Sequence, residues 1–163
     1  MKFEKVSFEV CKETLPDVVE ESILKRWHEE VKLPIRGTKD SAGYDFHMPY
    51  TLHIPAHSSG IIATCVRWVC DISENLVLMV FPRSGLGFKY GLKMGNTVGI
   101  IDKDYYRSDN EGHIMLKLDN PSDETVILEK GSRFAQGIIL PFYTVEGDNV
   151  TNTRNGGMGS TGK

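Results

Sequence analysis

The chain has 163 residues, of which 40% are hydrophobic and 25% are charged. A chain of this length normally forms one domain, and this apolar fraction is enough for a buried core without metal or disulfide support. The formal net charge of −3 excludes the strongly basic surface of a protein that coats nucleic acid. We expect one domain over 1–148 and a flexible, glycine-rich tail over 149–163, with local phosphate binding and no stable nucleic-acid partner.

The sequence contains no apolar run close to the roughly 20 residues that a membrane span requires, and charged residues follow Met1 directly. We therefore expect no signal peptide, no membrane contact and a cytoplasmic location. Cys11, Cys65 and Cys70 are an odd set without the spacing of zinc ligands, and the five histidines add no such spacing. We expect reduced thiols, with Cys65 and Cys70 in a strand, and no metal site built from protein ligands alone.

Sixteen glycines and seven prolines divide the chain into short segments of strand type, and no strand-helix-strand alternation follows residue 35. In one segment, Ile114, Leu116 and Leu118 alternate with Met115 and Lys117, a period of two that places one face of a strand against a core. This organisation predicts an all-β barrel or jelly roll. The predicted strands are 5–10, 60–70, 76–81, 113–118, 125–128 and 133–142.

A segment near the N-terminus departs from the strand pattern. Val19, Ile23, Trp27 and Val31 recur at a spacing of four with charged residues between them, which predicts an amphipathic helix over 16–31. The helix belongs to an insert that spans about 14–33. We expect its apolar stripe to pack on the parent domain; the alternative is that it binds a protein partner.

The last seven residues, GMGSTGK at 157–163, fit the opening of a phosphate-binding P-loop. A P-loop also needs a following Ser or Thr for magnesium and a helix whose amides receive the phosphate, and neither follows in this sequence. The glycines still let backbone amides approach a phosphate closely. We therefore expect the tail to wrap a triphosphate without forming a P-loop.

Four earlier segments belong with this tail. They read SAGYDF at 41–46, PRSGL at 82–86, GNTVGIIDKDY at 95–105 and GSRFAQ at 131–136, and the tail adds Arg154 and GGMGSTG at 156–162. In this order the five segments resemble the motifs of the homotrimeric dUTP pyrophosphatases (dUTPases). Each segment is a weak signal alone, whereas the ordered set is highly specific.

The resemblance implies an all-β jelly roll of the β-clip type, a homotrimer with shared active sites, and hydrolysis of dUTP to dUMP and pyrophosphate with Mg²⁺. Such an enzyme keeps uracil out of DNA and supplies dUMP for dTMP synthesis. Its chemistry requires a general base, neutralisation of phosphate charge and exclusion of bulk water, and each motif can supply one of these parts.

The third motif would carry the base and the nucleoside contacts. By the resemblance, Asp102 orients and deprotonates the water that attacks the α-phosphorus. The hairpin around it, with Asn96, Gly99 and Ile101, reads uracil through backbone groups that reject the amino group of cytosine. Tyr105 lies beneath deoxyribose and clashes with a ribose 2′-hydroxyl.

The other motifs would bind phosphates and metal. Asp45 would accept hydrogen bonds from waters of a magnesium ion that the triphosphate itself holds, which makes it an outer-shell residue. Arg154 would reach the γ-phosphate, and Met158 would cover the uracil face, where many relatives carry Phe. The remaining substrate contacts that the resemblance implies are Arg83, Ser84, Gly85, Gln136, Gly159 and Ser160.

Several features depart from the family pattern. Besides the helical insert, the stretch 106–112 is longer than the usual hairpin tip, Ser132 replaces the usual Asp, and only Asn155 separates Arg154 from the glycines. Asp104, two residues after the proposed base, is left open between a turn role and a catalytic role.

Two alternative functions remain to be compared. The related dCTP deaminases share the fold, but their catalytic Glu lies in a Leu-Glu-Leu strand, and Lys117 occupies that position here. A nucleotide-gated interaction protein would instead use dUTP to order the tail and would present Trp27 on the helix over 16–31 to a partner.

Overall fold

The computed structural model describes residues 1–15, 19–154 and 156, and most of its regular structure is β-strand. The three α-helices of the described residues are α1 (Phe8–Glu13), α2 (Glu21–Glu30) and α3 (Ser84–Tyr90), and a 3-10 turn spans Tyr105–Arg107. The strands are β1 (Lys2–Lys5), β2 (Ile35–Arg36), β3 (Tyr44–His47), β4 (Leu52–Ile54), β5 (Ser58–Ala63), β6 (Val66–Val69), β7 (Leu76–Pro82), β8 (Lys93–Met94), β9 (Gly99–Ile101), β10 (Met115–Asn120), β11 (Val126–Leu128) and β12 (Arg133–Pro141).

The strands form small antiparallel sheets around one core, which confirms the predicted all-β class. The largest sheet has the order β2-β3-β12-β7-β9, and β5-β10-β8 forms a second sheet. Two further pairs, β1-β6 and β11-β4, complete the set among the described residues. Because β12 lies between β3 and β7, it brings distant motifs to one surface.

The core follows the alternation expected from the sequence. Leu116 and Leu118 on β10 are buried, whereas Lys117 between them is exposed. The core is tightly packed at Gly137, where a Cβ atom would lie 2.8 Å from Leu78 Cδ1 and 3.1 Å from Phe46 Cε2. A strand residue with a side chain would have to displace both neighbours, so glycine permits this approach of strands.

The N-terminal segment corrects the predicted strand over 5–10. The strand β1 ends at Lys5, and the chain then forms α1 from Phe8. The Ser7 hydroxyl accepts a hydrogen bond from the backbone N–H of Val10 at 3.3 Å and caps this helix. Such capping satisfies an amide that has no partner within the helix, and here it outweighs the apparent strand alternation.

The helix predicted over 16–31 is present as the shorter α2, Glu21–Glu30, and residues 16–18 lie outside the described residues. Its fully buried side chain is Leu24, which the predicted stripe omitted. Trp27 stacks on Tyr50 with ring centres 5.3 Å apart, and both Val19 and Trp27 pack on the core. The stripe therefore faces its own domain, as expected.

The cysteines contradict the expectation of three reduced thiols, and neither Cys65 nor Cys70 lies in a strand as predicted. Cys11 and Cys65 form a disulfide with Cα atoms 5.3 Å apart, and only Cys70 is a free thiol. Cys65 has a φ of 55° between β5 and β6, so the predicted strand over 60–70 is divided there. Cys11 lies on α1, so the disulfide links this helix to the corner between β5 and β6.

The described helices include none that is long and apolar enough to cross a membrane.

Candidate active site

The third motif forms one wall of a cavity of about 330 Å³. The turn after β8 leads into β9, an edge strand that pairs with β7 on one side and with no other strand in the described chain on the other. Backbone N–H and C=O groups on such a free edge are available to a ligand. The cavity is lined by Asn96, Gly99, Ile100, Ile101, Asp102, Tyr105, Ile114, Met115, Leu116 and Arg154.

The turn before β9 has a tight, fixed backbone. Thr97 has a φ of 64°, a left-handed conformation that is uncommon for a residue with a branched side chain. The Thr97 N–H donates to the Met94 carbonyl at 2.9 Å, and the Val98 N–H donates to the Asn96 carbonyl at 2.6 Å. A Cβ on Gly99 would lie 3.4 Å from Val80 Cβ, so this strand approaches β7 closely.

Asp102 lies directly after β9 at the mouth of the cavity. Its side chain is 50% exposed, and the Arg154 guanidinium forms an ion pair with it. Arg154 Nε also lies 3.2 Å from Asp104 Oδ1. Asp104 thus contributes to holding Arg154 in this chain, and the tail reaches the hairpin of its own subunit.

Tyr105 lines the cavity although only 6% of the residue is exposed. Its hydroxyl donates to the His113 carbonyl at 3.0 Å and accepts from Asn110 Nδ2 at 2.9 Å. The Arg154 guanidinium carbon lies 5.6 Å from the ring centre. The ring is therefore held from its hydroxyl end and presents its other surface to the cavity.

A second, separate groove of about 370 Å³ contains the residues of the first, second and fourth motifs. Asp45 lies at its base with 6% of its side chain exposed, and it pairs with Arg83 through Oδ1 and with Arg133 through Oδ2, the latter at 3.2 Å. Antiparallel register explains the assembly, because Gln136 on β12 is opposite Asp45 on β3 and opposite Phe81 on β7. The two cavities share no lining residue.

Gln136 lies in the same groove next to a glycine of the first motif. A Cβ on Gly43 would lie 2.7 Å from Gln136 Oε1 and 3.3 Å from Gln136 Cβ. The lack of a side chain at Gly43 is therefore what lets Gln136 take this position. Ser84 and Gly85 lie exposed at the start of α3, directly after Arg83.

The described residues contain no cluster of three or more His, Cys, Asp or Glu side chains that could hold a metal ion. Both carboxylate oxygens of Asp45 are engaged by guanidinium groups, so this residue is not free to bind a cation directly. A magnesium ion does not need a direct protein ligand when a substrate phosphate and water molecules supply its six oxygen ligands. These residues are therefore compatible with a metal that Asp45 does not bind directly.

His113 forms a buried polar link behind Tyr105. Its Nε2 accepts a hydrogen bond from the Cys65 N–H at 2.9 Å, and burial lowers the pKa of His113 to about 4 despite an opposing effect of the nearby Glu111 carboxylate. The ring is therefore neutral near pH 7, which suits an acceptor nitrogen. The backbone of Cys65, one of the two disulfide cysteines, is thus hydrogen-bonded to the side chain of His113, whose carbonyl accepts from the Tyr105 hydroxyl.

The structure brings most of the predicted residues to these two cavities, whereas Ser84 and Gly85 line neither of them. Met158, Gly159 and Ser160, as well as Asn155, lie outside the described residues. Sequence reasoning did not single out Arg133, although it belongs to the fourth motif, and it also missed Asn110 and His113. The unusual length of the stretch 106–112 was the signal for Asn110, whereas nothing local indicates that a carbonyl at His113 binds the tyrosine.

Comparison with known proteins shows the family. A family model described as dUTPase matches residues 29–162. The deoxyuridine 5′-triphosphate nucleotidohydrolase of Lactococcus lactis subsp. lactis is 39% identical over 145 residues, which cover 87% of this chain and 95% of that relative.

Solved structures agree with this result. The crystal structure of dUTPase from Streptococcus mutans is 34% identical, has a TM-score of 0.68 and is matched over 90% of this chain and 100% of that one. A dUTPase from phage phi11 of S. aureus, 24% identical with a TM-score of 0.62, shares the fold over 76% of this chain and 92% of its own. The chain belongs to the dUTPase family.

Proposed function

We propose that this protein hydrolyses dUTP to dUMP and pyrophosphate in the cytoplasm. The observation that carries the proposal is the half-exposed Asp102 carboxylate at the mouth of a cavity whose walls combine a free strand edge with the Tyr105 ring. Family membership supports it, because the relatives that match most of the chain are named for this activity.

Asp102 is the group that takes a proton. A water oxygen attacks the α-phosphorus, the bond from that phosphorus to the α,β-bridging oxygen breaks, and pyrophosphate leaves with the electron pair. The water proton passes to an Asp102 oxygen and then to solvent. Since Arg154 pairs with Asp102 in the free chain, we expect Arg154 to leave this carboxylate when a triphosphate is bound.

The nucleoside is selected by backbone geometry on β9 and by the Tyr105 ring. Uracil offers two acceptor oxygens with a donor N3–H between them, which matches alternating N–H and C=O groups on a strand edge. Cytosine presents an amino donor where uracil accepts, so one buried partner would remain unsatisfied. The Tyr105 ring lies against the sugar and leaves no room for a ribose 2′-hydroxyl.

The phosphates are proposed to bind Arg83, Arg133 and Gln136 in the groove based on Asp45. The buried carboxylate orients two guanidinium groups, and because the two arginine side chains remain 31% and 51% exposed, they can contact phosphate. Magnesium carried by the triphosphate would neutralise further charge; a related phage dUTPase is described with a structural Mg(II) ion. Asp45 would accept hydrogen bonds from waters of that ion if one arginine turned toward phosphate.

Pyrophosphate release from a panel of eight nucleotides tests the activity, and we expect turnover of dUTP far above that of dCTP, dTTP and UTP. The Asp102→Asn variant should retain dUTP binding but lose about 10²- to 10⁴-fold in kcat, because the amide keeps the shape without the base. Asp109→Asn, on the exposed hairpin tip, is the matched control. Near wild-type kcat in Asp102→Asn would remove Asp102 from this role.

We also propose a homotrimer in which neighbouring chains complete each site. The nucleoside cavity and the phosphate groove share no lining residue within one chain, so a single chain does not offer them as one continuous pocket. A neighbouring chain across a closed symmetric interface would supply the missing part. The Arg154 contact within one chain would then be exchanged for a contact with a neighbour's site.

Subunit mixing distinguishes the two placements of the tail. An Asp102→Asn chain and a chain truncated before Arg154 should each be nearly inactive alone, and they are unfolded, mixed equally and refolded. If hairpin and tail come from different chains, about one quarter of sites regain both parts by random closed assembly. Activity near zero in verified mixed trimers would show that each site uses the hairpin and tail of one chain.

A further inference from the structure

We infer that Asn110, on the extended hairpin tip, is a positioning residue for Tyr105 and so contributes to selection of deoxyribose over ribose. This inference rests on the proposed function, since it concerns the sugar side of the same site. Asn110 does not line the cavity. It acts through the tyrosine hydroxyl, on the side of the ring away from the nucleotide.

The hydroxyl of Tyr105 is held at two points. It donates to the His113 carbonyl at 3.0 Å and accepts from Asn110 Nδ2 at 2.9 Å. A single hydrogen bond leaves a phenol hydroxyl free to rotate about that contact, whereas one accepted and one donated hydrogen bond together fix its orientation. The ring plane against the sugar is therefore set in part by Asn110.

Asn110 is itself held firmly enough to do this. Its Oδ1 accepts from the Gly112 N–H at 3.1 Å and lies 2.7 Å from Ser108 Oγ, whose single proton it shares with the Tyr105 carbonyl, so both ends of its amide are bonded. The turn is closed by Gly112, whose φ of 75° suits glycine, and a Cβ there would lie 2.5 Å from Tyr106 Cα. The extra residues of the tip thus build a rigid support.

The support is anchored to the rest of the chain on its far side. Glu111 Oε2 accepts a hydrogen bond from the backbone N–H of Ser7 at 2.8 Å, and Arg67 Nη1 lies 3.8 Å from the same oxygen. Ser7 is the N-cap of α1. A tip that is fixed at both ends can transmit its geometry to the tyrosine, because neither end moves independently.

The consequence is a loss of sugar selectivity when the Asn110 donor is removed. The Tyr105 ring excludes a ribose 2′-hydroxyl only if the ring keeps a fixed orientation. If the ring can tilt, ribose binds more easily. We expect the ratio of kcat/KM for dUTP to that for UTP to fall by about fivefold in Asn110→Ala, the factor that corresponds to one neutral hydrogen bond. Affinity for dUMP relative to UMP, measured by calorimetry, should fall in parallel.

A second variant separates positioning from folding of the tip. Asn110→Asp keeps acceptor oxygens for the Ser108 hydroxyl and the Gly112 N–H but has no N–H to give to Tyr105. The single proton of the Tyr105 hydroxyl then goes either to the new carboxylate or to the His113 carbonyl, so one of its two hydrogen bonds is lost and the variant should fold with reduced selectivity. Asp109→Ala is the matched control, because this neighbouring side chain makes no hydrogen bond or ion pair with any residue that the structure describes. It should leave the ratio unchanged.

A double-mutant cycle with Tyr105→Phe tests the route. If Asn110 acts through the hydroxyl, the double variant should be no less selective than Tyr105→Phe alone, and the two effects should not add. Additive effects, or an unchanged ratio in both Asn110 variants with dUTP turnover intact, would overturn the inference. Absence of dUTP turnover in the wild type would instead refute the proposed function.

Discussion

The pairing of Asp45 with two arginines yields a quantitative prediction for Asp45→Asn. The amide preserves the shape but removes the charge that both guanidinium groups contact, and its NH₂ group must face one of them. Charge-assisted hydrogen bonds contribute about 1.5–3 kcal/mol each, and removing one partner of a fully buried pair costs about 3–5 kcal/mol. Because Arg83 and Arg133 stay 31% and 51% exposed and regain water, we expect a loss of about 2–4 kcal/mol.

Thermal and urea unfolding at equal protein concentration measure this loss. For a chain of this size it corresponds to a fall in Tm of roughly 5–15 °C. Asp123→Asn is the control, since this residue is 95% exposed in its pair with His57 and should change stability by less than about 0.5 kcal/mol.

The same Asp45→Asn variant should raise KM for dUTP more than it lowers kcat, because the arginines lose their shared orientation while the base at Asp102 is untouched. A Tm within about 1 °C of wild type, or a variant with unchanged KM, would refute the view that Asp45 organises the phosphate groove.

Three further predictions concern the region behind Tyr105. Cys11→Ser should lower stability by up to about 4 kcal/mol, since the disulfide closes a sequence separation of 54, and a reductant should destabilise wild type but not this variant. Because the pKa of His113 is about 4 in the folded chain and about 6.5 in the unfolded chain, the free energy of unfolding should fall by about 3 kcal/mol in all as the pH is lowered from about 6.5 to 4. His113→Gln should flatten this pH dependence by up to about 1.4 kcal/mol per pH unit in urea titrations. Gly112→Ala should destabilise the protein by more than about 3 kcal/mol, because its Cβ would lie 2.5 Å from Tyr106 Cα; a melting curve like that of wild type would contradict this.

Features with a local cause were accessible from the sequence. The alternation around Leu116 and Leu118 predicted a buried strand face, and the third motif placed Asp102 and Tyr105 together because they lie three residues apart. The strand predicted over 5–10 was wrong because two local signals compete there. Phe8 and Val10 alternate with Glu9 like a strand, but the Ser7 cap selects a helix.

Features that depend on tertiary geometry were not accessible in the same way. The disulfide could not be assigned from spacing, since any pairing of three cysteines was open until α1 was placed. The pairing of Arg133 with Asp45 joins residues 88 positions apart, and it depends on an antiparallel register that places Arg133 opposite His47, two residues from Asp45 on β3. Motif recognition finds such residues without showing which atoms they contact.

The hydrogen bond between Ser7 and Glu111 has a consequence for which homologous sequences should carry the long hairpin tip. It joins the N-cap of α1, which precedes the helical insert, to the long hairpin tip. A chain with the tip but without α1 would leave the Glu111 carboxylate without its amide partner, and a chain with α1 but a short tip would leave the Ser7 N–H without this acceptor. We therefore expect the two elements to be gained and lost together, as one unit of descent, in homologous sequences that carry either.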